Sequence, residues 1–485
     1  MVKNLFLLLV ITSLVTPAKG AKISLSQKSV AERILQESIK TEEINLTAQL
    51  AHLALVQSQS AYDFSAALES GYEVSKLENF TGTANPKDTT YKTSLTLKKP
   101  FFTGTTLGVE YTLTTINSEF STLSTTTLPN SQTQNLVGLT LEQSLWKNSF
   151  GIVDRANLRA AENTEKSTHL TRVTDQQNLV LEGIKLFWKA YVAQETLQEA
   201  INSRERYEKL VETVKKKTNY GYANPGELAQ VQAELETRIQ NVKAESVNYL
   251  AVLDQLSTLL NLEKGSEIEF QVPNEIPPLP QLNDIQVNEL RPLKTSQLKV
   301  AASEDYLTAS RSKSYPDVSL IGKLYQGGID EKASESYNEM ISGAHPKYYI
   351  GVKLSYSFGS GIQNEDYVNK KIQRDLDQAK ASRLLLEIQD SLEHSKRKVQ
   401  MTYAVAMSSK KQLEFRDKAA QELQRAYNQG RSDISLLIDS LNKFFGAQIQ
   451  YSKNVGDYQI ALNEWAALRD ELITDAPVVN KGGQK

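Results

Sequence analysis

The sequence predicts an α+β chain made by internal tandem duplication, each half holding a group of strands and one very long helical hairpin. Three observations predict it: a helical pattern that recurs, two long stretches nearly free of helix breakers, and runs of strict alternation. After Gly221, a 4-3 stepping picks out Leu228, Gln232, Leu235, Ile239, Val242, Ser246, Tyr249, Leu253, Leu256 and Leu260. The same stepping, 209 residues further on, picks out Leu437, Leu441, Phe444, Gln448, Tyr451, Val455, Tyr458, Leu462, Trp465 and Arg469 after Gly430. Eight of ten positions are apolar or aromatic in each copy, against 40% for the whole chain, so chance is a poor account. A 4-3 alternation is a 3.5-residue period, which makes helices supercoil left-handedly around partners. Duplication on this scale repeats the architecture itself.

The elements follow in order. Residues 1–20 predict a secretory signal peptide: Lys3 supplies the positive start, Leu5 to Val15 the apolar run, and Ala18-Lys19-Gly20 the small residues at the cleavage site. That run is too short for the roughly 20 residues of a membrane span. Removing Lys3 and Lys19 takes the net charge from −2 to −4, which argues against a nucleic-acid partner.

Strands come next in each half. Phe64, Ala66, Leu68, Tyr72 and Val74 alternate with polar residues, as do Tyr91 to Leu97 and Leu107 to Leu113. In the second half, Ile350, Val352, Leu354, Tyr356 and Phe358 alternate in the same way. Period two with one apolar and one polar face fits a half-buried sheet. In a secreted chain it also fits a barrel with lipid outside and water inside. The strands repeat as well. Gly138-Leu139-Thr140-Leu141 lies 213 residues before Gly351-Val352-Lys353-Leu354, whereas Ser58, Ser60, Asp63 and Ser65 lie 254 before Ser312, Ser314, Asp317 and Ser319. The first half therefore carries about forty extra residues in the 75–133 region. They form either an exposed extension of the first strand pair or added strands in the wall.

The helices come last. From Ile362 to Gln429 there are 68 residues without glycine or proline, and the matching 69 from Ile152 to Tyr220 contain only Gly183. Each predicts a helix of roughly 100 Å. Glycine turns at 221–226 and 430–433 then reverse the chain into the 4-3 helices, making antiparallel hairpins. Pro273, Pro277, Pro278 and Pro280 read as an extended linker. The expected organisation is a first repeat over 21–272, a linker over 273–292, a second repeat over 293–475 and a disordered tail over 476–485.

No enzyme constellation accompanies this frame. The chain has no cysteine, hence no thiol-ligated metal, and its four histidines are scattered. It has no Gly-rich phosphate loop or G-x-S-x-G elbow, so neither cofactor nor metal is expected.

The order helix, strand, strand, very long helix, glycine turn, long helix, given twice, resembles the TolC-type outer membrane efflux proteins over nearly the whole mature chain. The marks are the paired G-(L/V)-x-L strands at Gly138 and Gly351, the strand start Pro316-Asp317-Val318, and the glycine turns followed by Ala/Leu/Gln-rich helices. The resemblance implies an α+β membrane protein of a Gram-negative-type cell. In it, a homotrimer with about four strands per chain closes an outer-membrane β-barrel, which continues into a long periplasmic α-helical barrel. It implies a passive exit duct that works with a periplasmic adaptor and an inner-membrane pump in efflux or type I secretion. Drug, metal and protein cargo are not separated. The alternative is a periplasmic coiled-coil scaffold without a pore.

The resemblance also places residues. An acidic residue six positions after the first turn glycine is Glu227, a tyrosine three before the second is Tyr427, and an aspartate nine after it is Asp439. In the family these narrow the pore at its periplasmic gate. The bland reading makes Glu227 and Asp439 solvated helix charges. Gly221, Tyr222, Gly226, Gly430, Arg431 and Asp433 would form the hairpin tips that meet the adaptor. The family's arginine two after the second glycine is here Ser432, and the Lys215-Lys216-Lys217 run reads as a solvated face.

Overall fold

The structure is a computed structural model that describes residues 23–76, 87–119, 130–263, 266, 268–273, 275–283, 285–356 and 362–473. The expected signal peptide, the tail and Phe358 lie outside the described residues. In chain order the elements begin with β1 (Ile23–Ser26), α1 (Gln27–Glu37) and α2 (Ile39–Ser60). Strands β2 (Ser65–Ser75), β3 (Lys87–Pro100), β4 (Thr105–Glu119) and β5 (Ser131–Ser144) precede helices α3 (Ile152–Asn219) and α4 (Glu227–Leu259). Then come β6 (Ile268–Gln271), α5 (Arg291–Lys313), β7 (Asp317–Asp330), α6 (Ala333–Ser342), β8 (Pro346–Ser355), α7 (Ile362–Asn428) and α8 (Ile434–Leu468). Helices α3 and α7 run for 68 and 67 residues, as the missing breakers predict.

The chain folds into two compact units, each drawing on both halves of the sequence. One comprises residues up to Leu46, Arg172–Leu290 and Glu387 onward. Its first core joins Val30 and Ile34 of α1 to Val180, Ile184, Phe187 and Trp188 of α3 and Leu256 and Leu259 of α4. The parallel pair β1–β6 adds Leu25 and Ile268 to it. Gly183 is explained here, because a Cβ on it would lie 2.0 Å from the Ile34 side chain. A second core packs Tyr207 and Val214 of α3, Val231 of α4, Tyr427 of α7, and Leu437, Leu441 and Phe444 of α8. Glu464 of α8 ties the helices electrostatically, accepting from Lys185 Nζ of α3 and Lys398 Nζ of α7, each at 2.6 Å. Those two ammonium groups outweigh burial and hold its carboxyl below the usual range.

The other unit comprises Thr47–Thr171 and Arg291–Leu386. It is built on one antiparallel sheet of order β2-β3-β4-β5-β7-β8. Arg159 of α3 pairs with Asp305 of α5 at 2.8 Å. The Ser312 hydroxyl of α5 donates to the Lys147 carbonyl at 2.8 Å. The sheet has six strands, where the family resemblance implies about four barrel strands per chain. The extra residues of the first half supply β3 and β4, and these pair in register with β2 and β5 instead of standing apart as an exposed extension. The physical reason is their alternation, which gives both strands the same apolar face as their neighbours.

Two glycines with the same backbone conformation separate strain from clash. Gly151 (φ 75°) would place a Cβ 1.7 Å from the Phe102 carbonyl oxygen, whereas Gly221 (φ 76°) has nothing within 4 Å. Both substitutions to alanine incur the left-handed cost of roughly 1–2 kcal/mol. Gly151→Ala is expected to lose at least about 1 kcal/mol more, because backbone has to move. Denaturant unfolding of the two variants checks this, and equal midpoints would contradict the close approach.

Candidate functional site

The hairpin tips are shaped by their glycines. At the end of α3, Gly221 N–H donates to the Thr218 carbonyl at 3.0 Å and Tyr222 N–H to the Lys217 carbonyl at 2.8 Å. At the end of α7, Gly430 N–H donates to the Tyr427 carbonyl at 3.0 Å and Arg431 N–H to the Ala426 carbonyl at 2.9 Å. These are the paired bonds of a left-handed helix stop, which needs φ near +75° and so favours glycine. Helix α8 restarts on Asp433, whose carboxylate accepts from the Ser435 N–H at 2.8 Å. Gly226 occupies the cap position of α4 with φ 88°.

The tips bring together two of the three expected gate residues. Tyr427 is only 3% exposed and Glu227 8%. The tyrosine hydroxyl donates to Glu227 Oε2 at 3.3 Å, and Asn224 Nδ2 donates to Oε1 at 2.8 Å. Lys217 completes the group. Its Nζ donates to the Tyr427 carbonyl at 2.6 Å and lies 3.8 Å from the centre of the tyrosine ring. One ring is thus gripped from α3 and α4 at once. Burial, then the charge and hydrogen bond of Glu227, then Asp433, push the Tyr427 hydroxyl up to about 12, so it stays a donor at any physiological pH.

Asp439 stands apart from this group. It is exposed on α8 and pairs with Lys443, one turn on, at 2.6 Å. Tyr222 is 82% exposed, and Gly221, Gly226, Gly430, Arg431 and Asp433 are also exposed. Sequence reasoning missed Lys217 and Asn224. The signal for Lys217 was its place in the last turn of α3, where a cation meets the free carbonyls of a helix end. Lys215 and Lys216 in the same run are exposed, as a solvated face requires.

The sheet offers a second functional surface. Its register aligns Ala66, Leu97, Val109, Leu139, Leu324 and Tyr348 in one row across all six strands. Leu68, Leu95, Leu141, Ile350, Val352 and Leu354 share that face, and all six are solvent-exposed, Ile350 to 82%. The opposite face carries Glu69, Glu73, Lys92, Lys98, Glu110, Glu142, Lys323, Lys347 and Lys353. Such a sheet is inverted relative to a soluble fold, with large apolar groups left uncovered. Phe64, Phe101, Phe102 and Trp146 are exposed near the end where β5 leaves for α3. Toward the other end, α6 covers part of the apolar face. Ser336 Oγ accepts from the Asn135 N–H at 3.0 Å and donates to the Gly328 carbonyl at 2.7 Å, satisfying polar groups there.

The chain matches no known family model and no curated protein by sequence. Solved structures do match its fold. The CmeC outer membrane channel of Campylobacter jejuni aligns with a TM-score of 0.69 at 12% identity, over 92% of this chain and 86% of that one. The outer-membrane channel OprN aligns at 0.66 and 14% identity, over 91% and 89%. The open state of the MtrE outer membrane channel of Neisseria gonorrhoeae aligns at 0.62 and 12%, over 92% and 91%. At such identities the likeness is one of fold: the chain has the fold of these channels, and its resemblance to the TolC type stands.

Tyr427→Phe removes a buried hydrogen bond to a carboxylate, worth about 1.5 kcal/mol or more. Amide exchange at 217–231 and 424–434 is expected to quicken about tenfold, read by hydrogen-exchange mass spectrometry. The wild-type latch has a definite alkaline limit. Its tyrosine pKa is raised from 10.0 to about 12, so its contribution is whole below pH 10.0 and is lost as pH rises through about 12. An exchange rate at the tips that is unchanged by Tyr427→Phe, or a loss beginning well below pH 10.0, would show that this bond does not close them.

Proposed function

We propose that three copies of this chain form an outer-membrane channel-tunnel, the passive exit duct of a tripartite efflux or type I secretion system in a Gram-negative-type cell. The carrying observation is the sheet: one face apolar and exposed, the other charged, with β2 and β8 as open edges. In hydrocarbon every backbone N–H and C=O has to be paired within protein, so a sheet that meets lipid closes into a barrel. One chain supplies too few strands to close around a pore, and copies of itself supply the rest. No described helix is long and apolar enough to cross a membrane. Exposed apolar residues also line helices that copies would cover: Ile39, Leu46, Leu50 and Leu53 step along α2 at sevens, fours and threes. A coiled-coil scaffold without a pore leaves the apolar face of the sheet unexplained.

In this reading the helical hairpins form the periplasmic tunnel and their tips the gate. Glu227 and Tyr427 hold the tip closed within each chain, and threefold symmetry makes Asp439 a ring of charges. Tyr222, Arg431 and Asp433, exposed at the turns, meet a periplasmic adaptor that carries an inner-membrane pump. Cargo is chosen by the pump, since a wide aqueous duct selects little.

The proposal is tested on the purified protein. A detergent-stable trimer that conducts in planar bilayers is expected, and a detergent-free monodisperse monomer would sink it. Asp439→Asn is expected to lower cation preference, read as reversal potential in a salt gradient, with the trimer intact. Lys443→Gln, which frees Asp439 from its partner, is expected to raise it. Unchanged selectivity in both variants would return Asp439 to ordinary helix surface.

A further inference from the structure

The hairpin formed by β3 and β4 has no counterpart in the second half of the sequence. Its pairing shows where it lies. It joins β2 from Ser65↔Lys98 to Ser75↔Asp88, and β5 from Thr105↔Gln143 to Asn117↔Ser131. At 14 and 15 residues, both strands exceed the roughly 9–11 that cross a bilayer. Their turn is fastened at the end where β5 leaves for α3. Ser144 N–H donates to the Gly104 carbonyl at 3.0 Å and Gln143 Nε2 to the Thr103 carbonyl at 3.1 Å. Leu95 and Leu97 on β3, and Leu107 and Val109 on β4, continue the apolar face of their neighbours without a break. The opposite face of the hairpin is mostly short side chains, among them Thr90, Ser94, Thr96, Thr106, Thr112 and Thr114.

The open edges of the sheet are compatible with each other. Strand β2 runs away from the end where β5 meets α3, and β8 runs toward it, because the sheet is antiparallel throughout and has an even number of strands. An edge β8 of one copy therefore meets an edge β2 of the next in antiparallel sense. An odd insertion would have broken that closure.

We infer that the β3–β4 hairpin is part of the barrel wall, so that three copies close eighteen strands instead of twelve and open an exit half as wide again. This rests on the duct reading above. With strands about 4.8 Å apart and tilted by about 40°, eighteen strands enclose a backbone diameter of roughly 35 Å, against about 24 Å for twelve. Apart from Lys92, Lys98 and Glu110, the inward side chains of the hairpin are mostly short. The exit then admits larger hydrated solutes than a twelve-strand wall of the same tilt.

The chain has no cysteine, so engineered pairs report alone. In the full-length protein, Leu68→Cys with Leu95→Cys (β2–β3) and Val109→Cys with Leu139→Cys (β4–β5) are expected to cross-link. Leu68→Cys with Val137→Cys, three strands apart, is expected not to. The reverse pattern, with β2 joined directly to β5, would overturn the inference. Electron cryomicroscopy of the wild-type trimer is expected to count eighteen strands, and twelve would overturn it independently of any variant. Polymers added from the extracellular side should enter to a radius about 1.5-fold larger than in a variant lacking 87–119. Equal cut-offs count against the wider exit. A conducting trimer with twelve strands defeats only this inference, whereas a chain that neither oligomerises nor conducts defeats the duct reading itself.

Discussion

A peptide group that enters hydrocarbon has to find its hydrogen-bond partner in protein, and the proposed duct depends on that requirement. The apolar face of the sheet bears large exposed residues, such as Ile350, Val352 and Leu354 on β8 and Leu68 on β2. Those same two strands are its edges. In the proposed duct the apolar face meets lipid, lipid forbids open edges, and another copy would close them. At Asn135, a polar group on the apolar face, the helix α6 supplies the partners.

The tips are governed by a different balance. Glu227 is buried, and a buried carboxylate is tolerated only when its oxygens are occupied. Asn224 and the Tyr427 hydroxyl occupy them. Lys217 adds a cation without touching the carboxylate, acting on the tyrosine ring and carbonyl instead. The tip is therefore held by several modest bonds between different helices. In the proposed duct, a partner that competed for a few of them would open the tip without unfolding the helices themselves.

Much of this was legible in the sequence because long periodic segments leave little ambiguity. The helices α3 and α7 followed from the missing glycine and proline, and the turns from Gly221 and Gly430. The strands were visible as alternation, yet alternation does not say which strand pairs with which. The place of β3 and β4 is set by register across Leu97, Val109 and Leu139, residues far apart in the chain. The short strands β1 and β6, four residues each, carry too few positions to show a period. Helix α6 was missed for the same reason, at ten residues. Lys217 was hidden in a run of three lysines, where only the depth of one side chain distinguishes it from its neighbours.

The duplication places the same seam in two unequal surroundings. The same 4-3 seam runs along α4 and α8, but the two helices use it differently. Helix α8 buries Leu437, Leu441, Phe444, Tyr458 and Trp465 against its own chain. On α4 the seam is buried only near its end, at Leu256 and Leu260, while Leu235, Ile239, Val242 and Tyr249 are half-covered. Val247 and Leu250 beside that seam are exposed. Equal patterns with unequal burial mean that one chain satisfies one repeat and leaves the other open. A 3.5-residue seam half-covered along its length is a surface shaped for another helix. The α4 seam and the β2 and β8 edges thus make the same demand by different means, and the proposed ring of identical chains would meet both.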